Sequence, residues 1–340
     1  MSFETPIAFI LYNRPDLTRR VFREIALMRP RRLYLIADGP KRDEDVEKCS
    51  AARRIIEQID WDCQSFTNFS ATNLGCRNRV SSGLDWVFDN EERAIIIEDD
   101  CLPDPSFFGY CEALLDRYAE DEQIMHIAGG NFLFESNGLF ESNGLFESNG
   151  LFESNGLFES NAIRDSYYFS RYSFVWGWAT WRRAWNHYDV EMASWPAASE
   201  SGWLESYFDD PIEREYWRGI LDRTWRGEID TWDFQWYYSC WIRQGLSIAP
   251  ATNLISNLGF RPDATHTNTS HENVRLANMT IGPLGELRHP LTASRDMAAD
   301  QINFRNFYHG ERGHQPADPV PFSRYLLNAL RRRTAWLRSR

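Results

Sequence analysis

The sequence predicts an α/β protein: a mostly parallel sheet sandwiched by helices, followed by a tryptophan-rich lobe. From residue 6 to about 128, short apolar runs alternate with amphipathic stretches, the pattern of strands alternating with helices. The runs are apolar throughout rather than at every second position, as strands are when both faces of a parallel sheet are covered. With 340 residues, 43% hydrophobic and 25% charged, the chain has an ordinary globular composition and enough length for a large core.

The elements follow in order. "PIAFILY" is the first strand and "DLTRRVFREIALM" the helix after it. "RLYLIAD" precedes "DEDVEKCSAARRIIEQI", "AIIIED" precedes "PSFFGYCEALLDRYAED", and "IMHIAG" is the last strand of this half. The stretch "NLGCRNRVSSG" reads as a loop. We divide the chain into an alternating half (1–130), a repeat (131–161), a tryptophan-rich half (162–300) and a basic tail (301–340).

A formal charge of -12 argues against a nucleic-acid partner, which needs a basic stripe. The N-terminus enters a strand-like run with no basic leader and no small-residue cleavage site, so no signal peptide is expected. No stretch approaches the ~20 apolar residues of a membrane span. Six scattered cysteines without C-x-x-C spacing read as reduced thiols, which sets the expectation of a cytoplasmic protein.

Residues 133–161 repeat "LFESNG" four times and end on "LFESN". A period of six matches no helix, and Asn-Gly closes tight turns. The stretch reads as a tandemly expanded surface loop. A stacked, turn-rich protrusion that meets a partner is the alternative. Beyond it, eleven of the fourteen tryptophans lie between Trp176 and Trp241. Most must be core, yet flat rings also suit the C–H faces of sugars.

In α/β sheets, ligands gather beyond the carboxyl ends of the strands. Three polar clusters fall there: Asn13-Arg14-Pro15, Asp38-Gly39 and Glu98-Asp99-Asp100. Three adjacent carboxylates repel one another, and a divalent cation such as Mg2+ or Mn2+ is the simplest compensation, its other positions filled by water and phosphate oxygens. The plainer reading is a solvated loop in which Asp104 caps the next helix.

The order "FILYNRPD", "LIADGP", "NLGC", "IIIEDDCLPDPSFF", "WGWATW", "TWDFQW" and "DATHT" resembles GT-A-fold glycosyltransferases, especially the N-acetylglucosaminyltransferase type that builds N-glycan branches and family 2-like bacterial enzymes. The resemblance spans roughly residues 6 to 270 apart from the repeat. It implies a GT-A-type sheet, with residues 1–130 binding a nucleotide-sugar donor and 162–300 facing a glycan or lipid-linked acceptor. It implies that Asp100 is the ligand of Mn2+ or Mg2+, that Asp99 is directed toward the ribose and Glu98 toward the donor sugar, that Arg14 faces the diphosphate, and that Asp38 reads the base. Asn13 and Ser82 join the donor set, and Trp176, Trp178 and Trp232 the acceptor set. His266 matches a histidine that some members fold over the metal, although a histidine in a Thr-rich loop is commonly just exposed. Asp233 matches the catalytic base. A carboxylate among Trp232, Phe234 and Trp236 would be partly desolvated, which raises its pKa above the usual ~3.9 toward useful basicity. The competing reading pairs Asp233 with Asp230 as the N-cap of one helix.

These residues set the expectation of an inverting, metal-dependent glycosyltransferase. The rival from another class is a carbohydrate-binding or inactive homologue that holds glycan on its tryptophans. A nucleotidyltransferase fits less well, since Lys41 and Lys48 are the only lysines and neither follows a glycine-rich phosphate loop.

The last segment, "PFSRYLLNALRRRTAWLRSR", carries six arginines and no acid, with Phe322, Leu326, Leu330 and Leu337 near helical spacing. It reads as a basic amphipathic helix that brings the protein to the inner face of an anionic membrane. Its rival is a helix packed on the acidic body. Full-length protein is expected to co-sediment with anionic but not neutral vesicles, with binding weakened by salt and lost on removal of residues 322–340. Protein that stays in the supernatant with anionic vesicles at low salt assigns the tail to the body.

Overall fold

A computed structural model describes residues 3–133, 165–259, 279 and 281–308. The "LFESNG" copies beyond Leu133, His266 and the basic tail lie outside the described residues. The first half runs β1 (Ile7–Leu11), α1 (Pro15–Met28), β2 (Arg32–Ala37), α2 (Asp45–Arg53), β3 (Gln64–Phe69), α3 (Gly75–Asn90), β4 (Arg93–Glu98), β5 (Cys101–Pro103), α4 (Ser106–Arg117) and β6 (Ile124–Ala128). The second half runs β7 (Tyr167–Ser170), β8 (Trp178–Trp181), α5 (Arg182–Trp185), α6 (Trp195–Glu200), α7 (Trp203–Tyr207), α8 (Pro211–Trp225), α9 (Asp233–Ile242), β9 (Leu246–Pro250), β10 (Ile255–Asn257) and α10 (Met297–Asn303).

The halves share one eight-stranded sheet, ordered β3-β2-β1-β4-β8-β6-β9-β7. Strands β1 to β4 pair in parallel, as do β6 and β9, while β8 and β7 run against their neighbours. The mostly parallel α/β sheet expected from the sequence is therefore present. Residues alternate between two buried faces. Phe9 and Leu11 point into a core with Phe22, Ile25, Phe107 and Phe108 from α1 and α4, whereas Ala8 and Ile10 point into one with Val80, Leu84 and Phe88 from α3. Both faces being covered is why these strands read as unbroken apolar runs.

Two elements differ from the sequence reading. Strand β3, "QSFTNF", carries no apolar run because it lies at the sheet edge with its first four residues exposed. The stretch read as the loop "NLGCRNRVSSG" is instead the first half of α3, which begins at Gly75 with φ 79. The glycine hides the start, because that backbone conformation belongs to no helix.

Antiparallel pairing of β5 with β10 sets Cys101 opposite Asn257, and the Leu258 N–H donates to the Asp100 carbonyl (2.7 Å). A segment from the far end of the sequence is thus delivered to the end of β4. No disulfide links any of the six cysteines. Among the described residues no helix is long and apolar enough to cross a membrane.

The second half packs an aromatic cluster that includes Tyr172, Trp195, Trp217, Tyr237 and Trp241. Buried His126 on β6 belongs to the adjoining core. Trp236 Nε1–H donates to His126 Nδ1 (3.2 Å), and His126 Nε2 lies 3.0 Å from the Phe174 carbonyl. Indole nitrogen only donates, so Nδ1 must accept, and the ring is neutral with its proton on Nε2. Burial holds the pKa down to about 3, with the Phe174 carbonyl opposing. The fold therefore favours the neutral ring. That contribution is complete above the unfolded value near 6.5 and is lost as pH falls toward 3. Between pH 7 and pH 5 the unfolding free energy is expected to drop by about 2 kcal/mol on this account. Denaturant titrations at the two pH values should show that difference shrink in His126→Asn, even though the variant is less stable overall.

Candidate active site

The chain builds β1, β2 and β3 outward in one direction and then places β4 on the other side of β1. The strand order thus reverses between β1 and β4, and the carboxyl ends of strands at such a reversal are where α/β sheets bind ligands. Tyr12-Asn13-Arg14 leaves β1 there, and Glu98-Asp99-Asp100 leaves β4. Arg14 Nη1 donates to Asp100 Oδ2 (2.6 Å), and the Tyr12 N–H donates to Asp99 Oδ2 (2.9 Å). Pro15 opens α1 at a position where a missing N–H costs nothing. The Thr18 N–H and hydroxyl both return to the Arg14 carbonyl, which fixes the backbone that aims the guanidinium.

The charges of this cluster are strongly coupled. Burial pushes the Glu98 carboxyl well above the ordinary carboxylate range, with Asp100, Asp99 and Asp233 adding to the effect and Arg14 opposing it. Asp99 is pushed up to about 7 by burial and then by Asp100, against Arg14 and the Tyr12 N–H. For Arg14, burial works against the charge, but Asp100, Asp99 and Glu98 outweigh it and raise its pKa. Trp232, the N-cap of α9, stacks on Trp178, which pairs with Ile96 of β4, so α9 from the other half of the chain starts near the end of β4, and Asp233 acts on Glu98 from there.

Asp233 Oδ1 accepts from the Thr231 hydroxyl and from the Phe234 N–H (3.0 Å). The competing reading of Asp230 as the N-cap of that helix is not what the structure shows, since Trp232 is the N-cap. Asp230 Oδ1 instead accepts the Arg77 N–H (3.2 Å), at the start of α3. Cys76, the second residue of α3, lies amid these acids. Burial, then Glu98, Asp233, Asp230 and Asp100, raise its thiol pKa well above the usual value. Asp104, one residue before Pro105 at the N-cap of α4, accepts from the Ser106 N–H (2.8 Å) and hydroxyl (2.6 Å).

Several expected assignments change. Asp38 is buried, and its carboxylate takes four donors: the Gly39 and Leu74 N–H on Oδ1 (both 2.8 Å), and Asn73 Nδ2 (2.9 Å) and the Gly75 N–H (3.1 Å) on Oδ2. A carboxylate has about four acceptor positions, so none is left to read a nucleobase, and Asp38 organises the turn before α3. Asn13 donates through Nδ2 to Asp45 Oδ1 (2.8 Å), and Asp45 Oδ2 also accepts from the Tyr12 hydroxyl and the Arg42 N–H. It is thus tied to the start of α2. Ser82 sits two turns into α3, and its hydroxyl donates to the Asn78 carbonyl (2.6 Å), spent within its own helix rather than on the acidic cluster.

Trp178 and Trp232 are buried, 0% and 2% exposed, so neither offers a ring face to an acceptor. Trp178 lies between Ile96 of β4 and Ala128 of β6 in the sheet. It stacks on His126 (5.0 Å between centroids, 19°) and on Trp232 (5.4 Å, 20°). Trp232 is the N-cap of α9, so this stack anchors the residue next to Asp233. Trp176 is half-buried, edge-on to Phe132 (5.2 Å) and Phe307 (5.6 Å). It is the one ring of the three that retains an accessible portion.

No family model matches this chain, and no curated protein does. Among solved structures it is similar to a UDP-glucose pyrophosphorylase determined with UDP-glucose, at 12% identity, over 38% of this chain and 65% of that chain, with a TM-score of 0.22. At that score the likeness carries no argument about what this chain binds, and the site stands on its own geometry.

The four-donor arrangement makes Asp38 a stability residue. Asp38→Asn puts an NH2 group against N–H donors and is expected to lower the unfolding free energy by about 2 kcal/mol or more. Chemical denaturation measures this, and a residue that only read a base would leave stability unchanged.

Proposed function

We propose that the protein transfers a hexosyl or N-acetylhexosaminyl group from a nucleotide diphosphate sugar to a hydroxyl of a glycan or lipid-linked acceptor, with inversion. One observation supports this most: Arg14 meets the Glu98–Asp100 carboxylates beyond the ends of β1 and β4, while Asp233 enters from α9 within electrostatic reach of Glu98. Phosphate recognition and a carboxylate base then come from different elements, as attack from the side opposite the leaving group requires.

Asp233 takes the acceptor hydroxyl proton as that oxygen forms its bond to the anomeric carbon. The bond from that carbon to the diphosphate breaks, and its electron pair leaves with the nucleoside diphosphate. Arg14 stabilises the charge developing there. Glu98 and Asp99, largely withdrawn from water, face the donor sugar and ribose as hydrogen-bonding groups.

For a divalent cation, Asp100 is the fitting ligand. Its carboxylate lies in the turn after β4, beside two further acids and paired with Arg14, and hard cations accept one protein carboxylate with water and phosphate oxygens for the rest. Among the described residues no group of three or more His, Cys, Asp and Glu is set to hold a metal ion. When bound, Mn2+ or Mg2+ neutralises the departing diphosphate.

A panel of nucleotide-sugars with Mn2+, scored for release of nucleoside diphosphate, tests the activity. Asp100→Asn is expected to abolish the Mn2+ dependence of nucleotide affinity. Asp233→Asn should keep that affinity while transfer falls by about two orders of magnitude. Normal transfer by the Asp233 variant would overturn the assignment of the base.

A further inference from the structure

We propose that Thr231 is the positioning residue of Asp233, orienting its carboxylate toward the acceptor, and that Asp230 pins the turn carrying both residues onto α3. This deepens the glycosyl-transfer reading and rests on it.

Thr231 donates its hydroxyl to Asp233 Oδ1, and the Phe234 N–H donates to the same oxygen at 3.0 Å. Two donors on one oxygen fix the rotation of the carboxylate. Thr231 is itself held, because Gln235 Nε2 donates to its carbonyl (2.7 Å). The turn is clamped from two sides. On one, Asp230 Oδ1 accepts the Arg77 N–H, and its carboxylate lies so close to Gly75 (φ 79) that an added Cβ would be 2.9 Å from Asp230 Oδ2. On the other, Trp232 is stacked on Trp178.

The start of α3 also donates its Leu74 and Gly75 N–H groups to Asp38. One helix end thus ties the turn bearing the base to the carboxyl end of β2. A hydroxyl that acted only as a local cap would need none of this bracing.

Among the described residues, the acids and weak acids that interact electrostatically with Asp233 include Glu98 from β4, Cys76 from α3, Tyr188 after α5 and Tyr237 one turn along α9, with Asp230 beside it in the turn. Arg77, the nearby cation on α3, is turned to the Val190 carbonyl and Glu191. Donation from Thr231 therefore favours the ionised carboxylate among neighbours that oppose it, and losing that donor shifts the balance toward the protonated form.

The test is the pH dependence of kcat/KM for transfer, measured with full-length protein. In Thr231→Val, and in Thr231→Ala should the first not fold, the acid limb is expected to move to higher pH by about one unit, with nucleotide affinity unchanged. Thr231→Ser restores the wild-type limb. A folded donor-less variant that keeps the wild-type limb, whatever its Tm, overturns the proposal, as does Thr231→Ser behaving like Thr231→Val. The parent reading fails separately: it falls if the wild-type protein releases no nucleoside diphosphate or if Asp233→Asn transfers normally. An inactive Asp233→Asn beside an unshifted Thr231→Val sinks this inference alone.

Discussion

Three carboxylates at the end of a strand as buried as β4 must be held against their own repulsion, and the rest of the molecule is arranged around how this is done. Arg14 crosses from the end of β1 to Asp100, while the Tyr12 N–H takes an oxygen of Asp99. Both contacts exist only because β1 and β4 are parallel neighbours at the point where the strand order reverses. One guanidinium pairs with Asp100, while burial and mutual repulsion push Glu98 and Asp99 toward their protonated forms.

The aromatic density of the second half then has a mechanical explanation. Trp178 is seated in the sheet between β4 and β6, with both His126 and Trp232 stacked on it. The stack carries position through rigid rings from the sheet to the first turn of α9. Burial of rings this large stabilises by several kcal/mol each, enough to hold a helix end firmly. The tryptophans that look suited to gripping a sugar instead hold the residue that would act on one.

Helix α3 has a parallel role. Its first amides are taken by Asp38 from one side and Asp230 from the other, and each carboxylate satisfies donors that a helix start otherwise leaves unpaired. The helix end becomes a strut between β2 and the turn before α9. Interactions of charged oxygens with helix N-termini are individually modest, but here they join segments about 150 residues apart in the chain.

Local pattern was enough to determine the α/β class, most of the strands and helices, and the placing of acidic residues at strand ends, because burial on both faces and helical periodicity act over a few neighbouring residues. It also singled out Asp233 and Asp100 as residues of interest. The partners of those residues were not legible. Asp230 looks like the cap of the helix beside it and caps a different one, Asp38 looks available and is saturated, and Trp178 and Trp232 look like platforms and are buried. Whether a side chain is free to bind depends on donors and rings delivered by distant segments. Only the closing of the sheet, with β4 beside both β1 and β8, decides which segments arrive.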